Sequence, residues 1–238
     1  MTSRPAVVLV HGAFTDASSW WPITLRLLGS GRTVFAPPVD GHSFVDDCDH
    51  VRRFVERIDG PVLLVGHAYG GAVITVAGAA HNVVGLVYVA GYALDGGESI
   101  GALRDRFPDS DLARHLVSAF GRRDGDSGTE ITVEVAEFPQ LLGEGAPSDE
   151  LEVMAVSQRP LSVSILTESV VEPAWRSRPS WGVVASADRS LSPELQRFAY
   201  QRAGARRIVE LDAPHLVMQT HPIEVVALID TALNELVG

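Results

Sequence analysis

The sequence has no lysine and a single cysteine, Cys48, among its 238 residues. A lone cysteine excludes an internal disulfide and a metal site built from several cysteines, and we interpret Cys48 as a small core residue. All nineteen basic side chains are arginine, which we attribute to codon usage, and thirty acidic residues set the formal net charge at −11. Nucleic acids and anionic membranes both select proteins with a cationic face. The charge balance therefore predicts that neither is a partner.

Long hydrophobic runs are also absent. The first apolar stretch, Ala6–Val10, is followed at once by a histidine and a glycine, so it does not resemble a signal sequence. No stretch approaches the roughly 20 residues that span a bilayer. We therefore expect a soluble cytoplasmic protein without a bound cofactor. Hydrophobic and charged contents of 46% and 21% are typical of an ordinary globular chain.

Short apolar runs alternate with segments of helical periodicity at both ends of the chain. The runs predict strands at Ala6–Val10, Thr33–Ala36, Val62–Val65, Val83–Ala90, Trp181–Ala185 and Arg207–Leu211. This alternation is typical of an α/β fold with a mostly parallel sheet of about six strands and helices on both faces.

The alternation stops between residues 94 and 178, a stretch rich in glycine and proline. We interpret residues 94–178 as a small cap insertion in a single domain, 1–238, whose core is residues 1–93 and 179–238. Within the cap we expect only short helices, at Asp111–Phe120, Ser148–Val156 and Leu161–Val170.

A sharp turn is predicted at Gly66–Gly71, between the strand Val62–Val65 and a stretch of small residues that can form a helix. Glycines two positions before and after a central residue are the pattern G-x-S-x-G of a nucleophile elbow, in which the strained turn leaves no room for other side chains. The central residue here is Ala68, which has no nucleophilic atom.

An acid and a histidine follow later strands of the same predicted sheet. Asp188 comes three residues after the strand Trp181–Ala185, and His215 comes four residues after Arg207–Leu211. The carboxyl ends of parallel strands meet at one edge of a sheet, where the sites of such proteins lie. Either residue alone is more typical of a turn or a helix cap. Their order behind the elbow, however, is that of a Ser-Asp-His triad, and it favours a base dyad.

These motifs, together with V-L-V-H-G-A-F at Val8–Phe14, resemble the α/β-hydrolase fold superfamily over essentially the whole chain. The resemblance is to the branch of plant methylesterases and hydroxynitrile lyases and their bacterial relatives. It implies that Asp188 is the triad acid and His215 the base. It also implies that the backbone N–H groups of Ala13 and Tyr69 are the oxyanion donors, with no metal. The departure from the family pattern is Ala68 at the nucleophile position.

Several apolar side chains are candidates for contact with a substrate. Phe14 and Tyr69 flank the site, and the insertion supplies Phe107, Phe120, Phe138, Leu141, Leu142, Met154 and Trp175. The insertion's side chains would equally serve the core of the cap itself. We expect a small, apolar, uncharged or weakly acidic substrate. We interpret His67 as a packing residue of the elbow and His11 as an anchor of the oxyanion loop.

Ala68 leaves three functions open. Loss of a triad serine typically costs about 10⁶ in turnover, so the chain should be nearly inert as a serine esterase. A base and an oxyanion hole alone supply roughly 10⁴–10⁷, which is adequate for a substrate with an acidic proton. The first possibility is therefore a serine-free lyase, isomerase or cyclase, or a water-activating enzyme. The second is an esterase or lactonase whose serine was replaced by Ala68 to inactivate it. The third is a non-catalytic ligand-binding derivative of the fold.

Overall fold

Two β-sheets organise the part of the chain that the computed structural model describes, residues 4–118 and 129–237. Their strands are β1 (Ala6–Val10), β2 (Val34–Phe35), β3 (Val62–His67), β4 (Val83–Val89), β5 (Leu116–Ser118), β6 (Glu130–Val133), β7 (Leu161–Ser162), β8 (Ser180–Ala185) and β9 (Arg207–Leu211). Six of them form the larger sheet in the order β2-β1-β3-β4-β8-β9, and every neighbouring pair in it is parallel. The six strands predicted from the sequence are confirmed, with ends that agree within two residues.

The centre of the large sheet is buried on both faces. Every residue of β1, β3 and β8 is buried, which explains why these strands are apolar runs and not alternating patterns. The edge strands β2 and β9 are partly exposed and carry charged or large side chains at the surface. The turn into β3 uses Gly60 at φ +93°, a conformation that favours glycine.

Nine α-helices lie in the described residues. They are α1 (Trp21–Gly29), α2 (Phe44–Glu56), α3 (Tyr69–Ala77), α4 (Ile100–Arg104), α5 (Phe138–Leu142), α6 (Ser148–Val156), α7 (Pro193–Arg202), α8 (Val217–Thr220) and α9 (Pro222–Val237). In α2 the apolar stripe packs inward, and Cys48 lies in the core as predicted. None of these helices combines the length and the apolar character that crossing a membrane requires.

The segment between β4 and β8 differs in part from its prediction. The helix Ser148–Val156 is confirmed. The other two predicted helices are instead short 3₁₀ turns, Asp111–His115 and Val163–Leu166, that adjoin β5 and β7. With β6 these strands form a small antiparallel sheet, which we did not predict because strands of two to four residues leave no periodic signal. Residues 119–128, including Phe120, lie outside the described residues.

The large sheet brings the predicted site loops to one edge. Strand β1 pairs with β2 on one side and β3 on the other, so the strand order reverses at β1. In parallel α/β sheets, ligands bind in the crevice outside the carboxyl ends of strands near such a reversal. The loops that follow β1, β3, β8 and β9 hold the oxyanion motif, the elbow, Asp188 and His215 in turn.

Candidate active site

The turn between β3 and α3 is the strained elbow that the glycine pattern predicts. Ala68 has φ +49° and ψ −117°, a backbone conformation that side chains other than glycine rarely adopt. A Cβ at Gly66 would collide with the backbone of Gly70, and one at Gly70 would collide with the carbonyl of Val10. The Ala68 N–H donates to the Val89 carbonyl at 3.2 Å. Strand packing therefore holds residue 68 in place although its conformation is unfavourable.

Asp188 and His215 form a buried pair. His215 Nδ1 lies 2.7 Å from Asp188 Oδ2, and both residues are buried. A carboxylate only accepts, so Nδ1 carries a proton, and in the neutral ring Nε2 holds the lone pair. In the described residues Nε2 has no hydrogen-bond partner, whereas a serine at position 68 would normally supply one. The structure thus presents an oriented imidazole with its basic nitrogen available.

The carboxylate of Asp188 is held by three further donors. Its Oδ1 accepts from the backbone N–H groups of Ser190 and Leu191, each at 2.8 Å. Its Oδ2 also accepts from Gln196 Nε2 at 2.8 Å, and the other amide atom of Gln196 accepts from the Ala185 N–H at 3.0 Å. Sequence reasoning missed Gln196, because a single glutamine in the second turn of a helix carries no signal of its own.

His67 packs against the dyad and does not react in this geometry. Its Nε2 donates to the His215 carbonyl at 2.9 Å, and the two imidazole rings are 4.6 Å apart. Complete burial, together with the nearby His215 ring, lowers the pKa of His67 well below its usual value. His67 is therefore a neutral residue that supports the backbone of His215.

The loop after β1 is anchored by His11. Its Nδ1 donates to the Gly12 carbonyl at 2.9 Å, and its Nε2 accepts from the Val39 N–H at 3.1 Å. Burial lowers the pKa of His11, which keeps the ring neutral for these two roles. Beyond this anchor, the N–H of Ala13 donates to no residue of the described ranges.

Tyr69 begins α3 directly after Ala68, so its backbone N–H belongs to the free first turn of that helix. Its side chain points elsewhere: the hydroxyl donates to Asp47 Oδ2 at 2.7 Å. Asp47 is buried and also accepts from the N–H groups of Asp40 and Gly41. Burial and then the Asp47 carboxylate raise the pKa of Tyr69 well above its usual value, so the phenol remains a donor.

These groups surround one cavity of about 600 Å³, counting the part that opens to solvent. Most of its lining is apolar, which suits a small organic ligand. The core contributes Ala13, Phe14, Ala68, Tyr69, Tyr92, Ser190, Leu191 and His215. The insertion contributes Ile100, Arg104, Leu112, Leu116, Ile131, Leu142, Leu161 and Leu166. The structure therefore brings Ala13, Phe14, Ala68, Tyr69 and His215 together around one cavity, with Asp188 hydrogen-bonded to His215.

The cap residues predicted from the sequence mostly lie elsewhere. Of the described candidates only Leu142 lines the cavity. Phe138 and Leu141 are buried in the core of the cap, Phe107 packs on the ring of Phe198, and the Trp175 indole donates to the Leu94 carbonyl. Met154 packs partly buried against the core and lines a separate groove. Most of these side chains therefore serve packing, and Phe107 packs against α7 of the core and not within the cap.

Three residues outside the cavity have the geometry of metal ligands. Within the described ranges His115, Glu134 and Glu137 bring one ligand atom each to within 4.8 Å of one another, although the sequence spacing gave no such indication. They are partly or fully exposed, and exposed acidic groups commonly gather without a metal. Among the described residues that line the cavity there is no comparable set.

Known proteins resemble this chain in sequence and in fold. The model of the alpha/beta hydrolase family matches residues 7–228. Norfluorocurarine synthase 2 from Strychnos sp is 26% identical over 94% of this chain and 93% of its own length. The crystal structure of polyneuridine aldehyde esterase superposes with a TM-score of 0.84 at 20% identity, covering 97% of this chain and 100% of that one. Tomato methylketone synthase I, complexed with 2-tridecanone, gives a TM-score of 0.79 at 19% identity over 98% and 99% of the two chains.

Proposed function

The chain belongs to the alpha/beta hydrolase family, and from that premise we propose that it is an enzyme that works without a nucleophilic serine. It would act on a small, largely apolar carbonyl compound by moving a proton. The observation that carries the proposal is the intact, buried His215–Asp188 pair, whose free nitrogen shares an apolar cavity with the methyl group of Ala68. Removal of the serine leaves the base and the oxyanion donors, which are the parts that proton transfer needs.

The proposed reaction begins with the substrate carbonyl oxygen between the N–H groups of Ala13 and Tyr69. His215 Nε2 takes a proton from the carbon beside that carbonyl. The electron pair of the broken C–H bond forms an enolate, whose oxygen the two amides stabilise. Asp188 stabilises the imidazolium that results. Return of the proton to another carbon of the enolate system completes an isomerisation. If the enolate instead expels a group from the β-carbon, that group takes the proton and the result is an elimination. If the enolate carbon attacks a second carbonyl of the same substrate, the new alkoxide takes the proton and the result is a cyclisation. The same base could instead take a proton from a water molecule that attacks the carbonyl.

The relatives support chemistry of both kinds. They include a synthase, norfluorocurarine synthase 2, as well as polyneuridine aldehyde esterase. Methylketone synthase I was crystallised with 2-tridecanone, a long-chain ketone of the kind that an apolar cavity suits. A carbonyl compound with a hydrocarbon chain is therefore our choice of probe.

The test is the exchange of α-hydrogens for deuterium in 2-heptanone and 2-nonanone, followed by proton NMR in D₂O. We expect the chain to accelerate exchange by roughly 10²–10⁴-fold over buffer, the usual contribution of a positioned base. His215→Ala should return the rate to that of buffer. His81→Ala, at an exposed histidine, is the matched control and should retain the accelerated exchange. Exchange at the buffer rate with the unaltered chain, or unchanged exchange in His215→Ala, would contradict the proposal.

Ester hydrolysis is the second candidate, because the dyad and elbow geometry is also what a serine esterase requires. Ala68→Ser separates the two, measured with p-nitrophenyl acetate and simple methyl esters. A gain of several orders of magnitude, without exchange of ketone hydrogens by the unaltered chain, would favour an esterase that lacks its serine. A ligand that binds and dissociates unchanged, with neither activity, would favour a binding protein.

A further inference from the structure

Arg104 is the one permanently charged side chain among the described residues that line the cavity. It ends α4, the first helix after β4, and it also borders a second groove that opens beside Phe107 and Ser192. A cation in an apolar wall is costly unless something pairs with it. Its place beside the dyad therefore calls for a partner.

Within the described ranges, Arg104 makes neither an ion pair nor a side-chain hydrogen bond, and this distinguishes it from the other arginines of similar burial. Each of the other half-buried arginines donates to a carboxylate or a carbonyl: Arg32, Arg159, Arg178, Arg189, Arg197 and Arg202. In the part of the chain that the structure describes, the remaining arginines without a carboxylate partner are exposed to water, where a lone charge costs little. Arg104 is the exception, and it lines the cavity that also holds Ala68 and His215.

Tyr92 supplies a second donor in the lining of the same cavity. It directly follows the turn after β4, and its hydroxyl has no partner among the described residues. Burial raises the pKa of Tyr92, the positive charge of Arg104 opposes that rise, and the Asp188 carboxylate adds to it, so the phenol keeps its proton and remains a donor. A guanidinium and a phenol that both donate form a natural site for a carboxylate.

We propose that Arg104 and Tyr92 bind a carboxylate carried by the substrate, apart from its reacting carbonyl. The substrate class would then be an oxo-carboxylate with an apolar chain between the two groups. The carbonyl half of this inference rests on the proposed function, whereas the carboxylate half rests on Arg104 and Tyr92. A single negative charge fits a protein of net charge −11, whose overall potential opposes polyanions.

Calorimetric titration of the full chain at pH 7.5 and low salt tests the proposal. The probes are 5-oxohexanoate, 7-oxooctanoate and 9-oxodecanoate, each beside its uncharged amide of equal length. We expect the best-fitting carboxylate to bind roughly 10- to 100-fold more tightly than its amide, as expected for hydrogen bonds to a charged group. Added NaCl should reduce this preference.

Arg104→Met should abolish the preference and leave the affinity for the amide unchanged. Arg114→Met is the matched control, because Arg114 is exposed on the cap and its replacement removes the same charge away from the cavity. This variant should retain the preference. Tyr92→Phe should reduce it by a smaller factor. If Arg104→Met fails to fold by circular dichroism, Arg104→Gln replaces it with the same expected result.

Equal affinity for acid and amide in the unaltered chain, or a preference that survives loss of Arg104, would overturn the inference. These outcomes are independent of the chemistry proposed above. His215→Ala should bind 7-oxooctanoate with the same preference while losing proton exchange. Absence of exchange with an intact preference would contradict the proposed function alone.

Discussion

At the scale of single residues, Ala68 combines an unfavourable backbone conformation with a side chain that does nothing to relieve it. A positive φ costs an alanine of order 1–3 kcal/mol, and such strain persists only where the surroundings impose it. Here the β3–α3 turn imposes it through the close approach of Gly66, Gly70 and the β1 backbone. The same geometry in a serine enzyme exposes the nucleophile. In this chain the strain remains although no nucleophile is presented.

Replacement of Ala68 by glycine should therefore stabilise the protein. Ala68→Gly removes the Cβ clash at φ +49° and should raise the free energy of unfolding by about 1 kcal/mol in urea titration. Ala72→Gly, in the middle of α3 and fully buried, is the control and should lower it by at least about 0.5–1 kcal/mol. A loss of stability in Ala68→Gly would show that the elbow is not strained.

Which residues the sequence could predict depends on the kind of signal that each one leaves. Ala68, Asp188 and His215 were identified because each follows a predicted strand and their order along the chain matches a known pattern. Arg104 and Gln196 were missed because their importance arises only when the insertion and α7 fold against the sheet. Tyr92 directly follows the turn after β4, so its position at a strand end was an available signal that was not used.

At the scale of elements, strand β8, its loop and helix α7 form one hydrogen-bonded unit around Asp188. Gln196 from α7 donates to Asp188 and to the Leu191 carbonyl at 2.9 Å, and it accepts from the Ala185 N–H at the end of β8. Because Gln196 is fully buried, these groups have Gln196, and not water, as their hydrogen-bond partner. The orientation of the carboxylate behind His215 is thus fixed by a helix as well as by its own turn.

Gln196→Met should test this unit. The substitution keeps the side-chain volume but leaves the Asp188 carboxylate with one donor fewer. It also removes the partner of the Ala185 N–H and of the Leu191 carbonyl. We expect the free energy of unfolding to fall by about 2–5 kcal/mol in urea titration. Gln201→Met, on the exposed side of the same helix, should change it by less than about 0.5 kcal/mol. Similar losses in both variants would mean that the hydrogen bonds of Gln196 are not what holds the loop.

The elements also divide by how well the sequence predicts them. The central strands of the large sheet are buried, so short apolar runs mark β1, β3, β4 and β8. In the cap, β5, β6 and β7 have only two to four residues each, and β5 and β6 are partly exposed. They are stabilised by pairing with strands that lie up to about thirty residues away in the sequence. A local sequence pattern does not indicate such pairing. That is why the core was predictable to within a few residues and the cap was not.

At the scale of the whole molecule, the fold holds neutral histidines in its interior beside an acidic surface. His11 and His67 are both buried with hydrogen bonds that suit the neutral ring. Burial lowers the pKa of each below the ordinary value of 6.5, and for His67 the nearby His215 adds to the effect. The two rings lie under the loop after β1 and under the dyad. Protonation of either would therefore disturb the site as well as the fold.

Stability should consequently fall as the pH is lowered below about 6.5. In that range the unfolded chain binds protons at these two positions while the folded chain does not, so acid favours unfolding. Each histidine contributes a slope of at most about 1.4 kcal/mol per pH unit. We expect the free energy of unfolding, measured in urea from pH 7.5 to 5, to be flat at first and then to decline. This range lies above the ordinary titration of carboxyl groups.

The contribution of His67 to this decline can be isolated. His67→Gln keeps a side-chain N–H for the His215 carbonyl but removes the titrating ring, so the slope below pH 6.5 should fall by about half. His81→Gln, at an exposed surface histidine, should leave the slope as it is. An unchanged slope in His67→Gln would mean that this ring takes up its proton in the folded protein. In that case a charged ring would lie 4.6 Å from the ring of His215, and His67 would not be the neutral support of the His215 backbone.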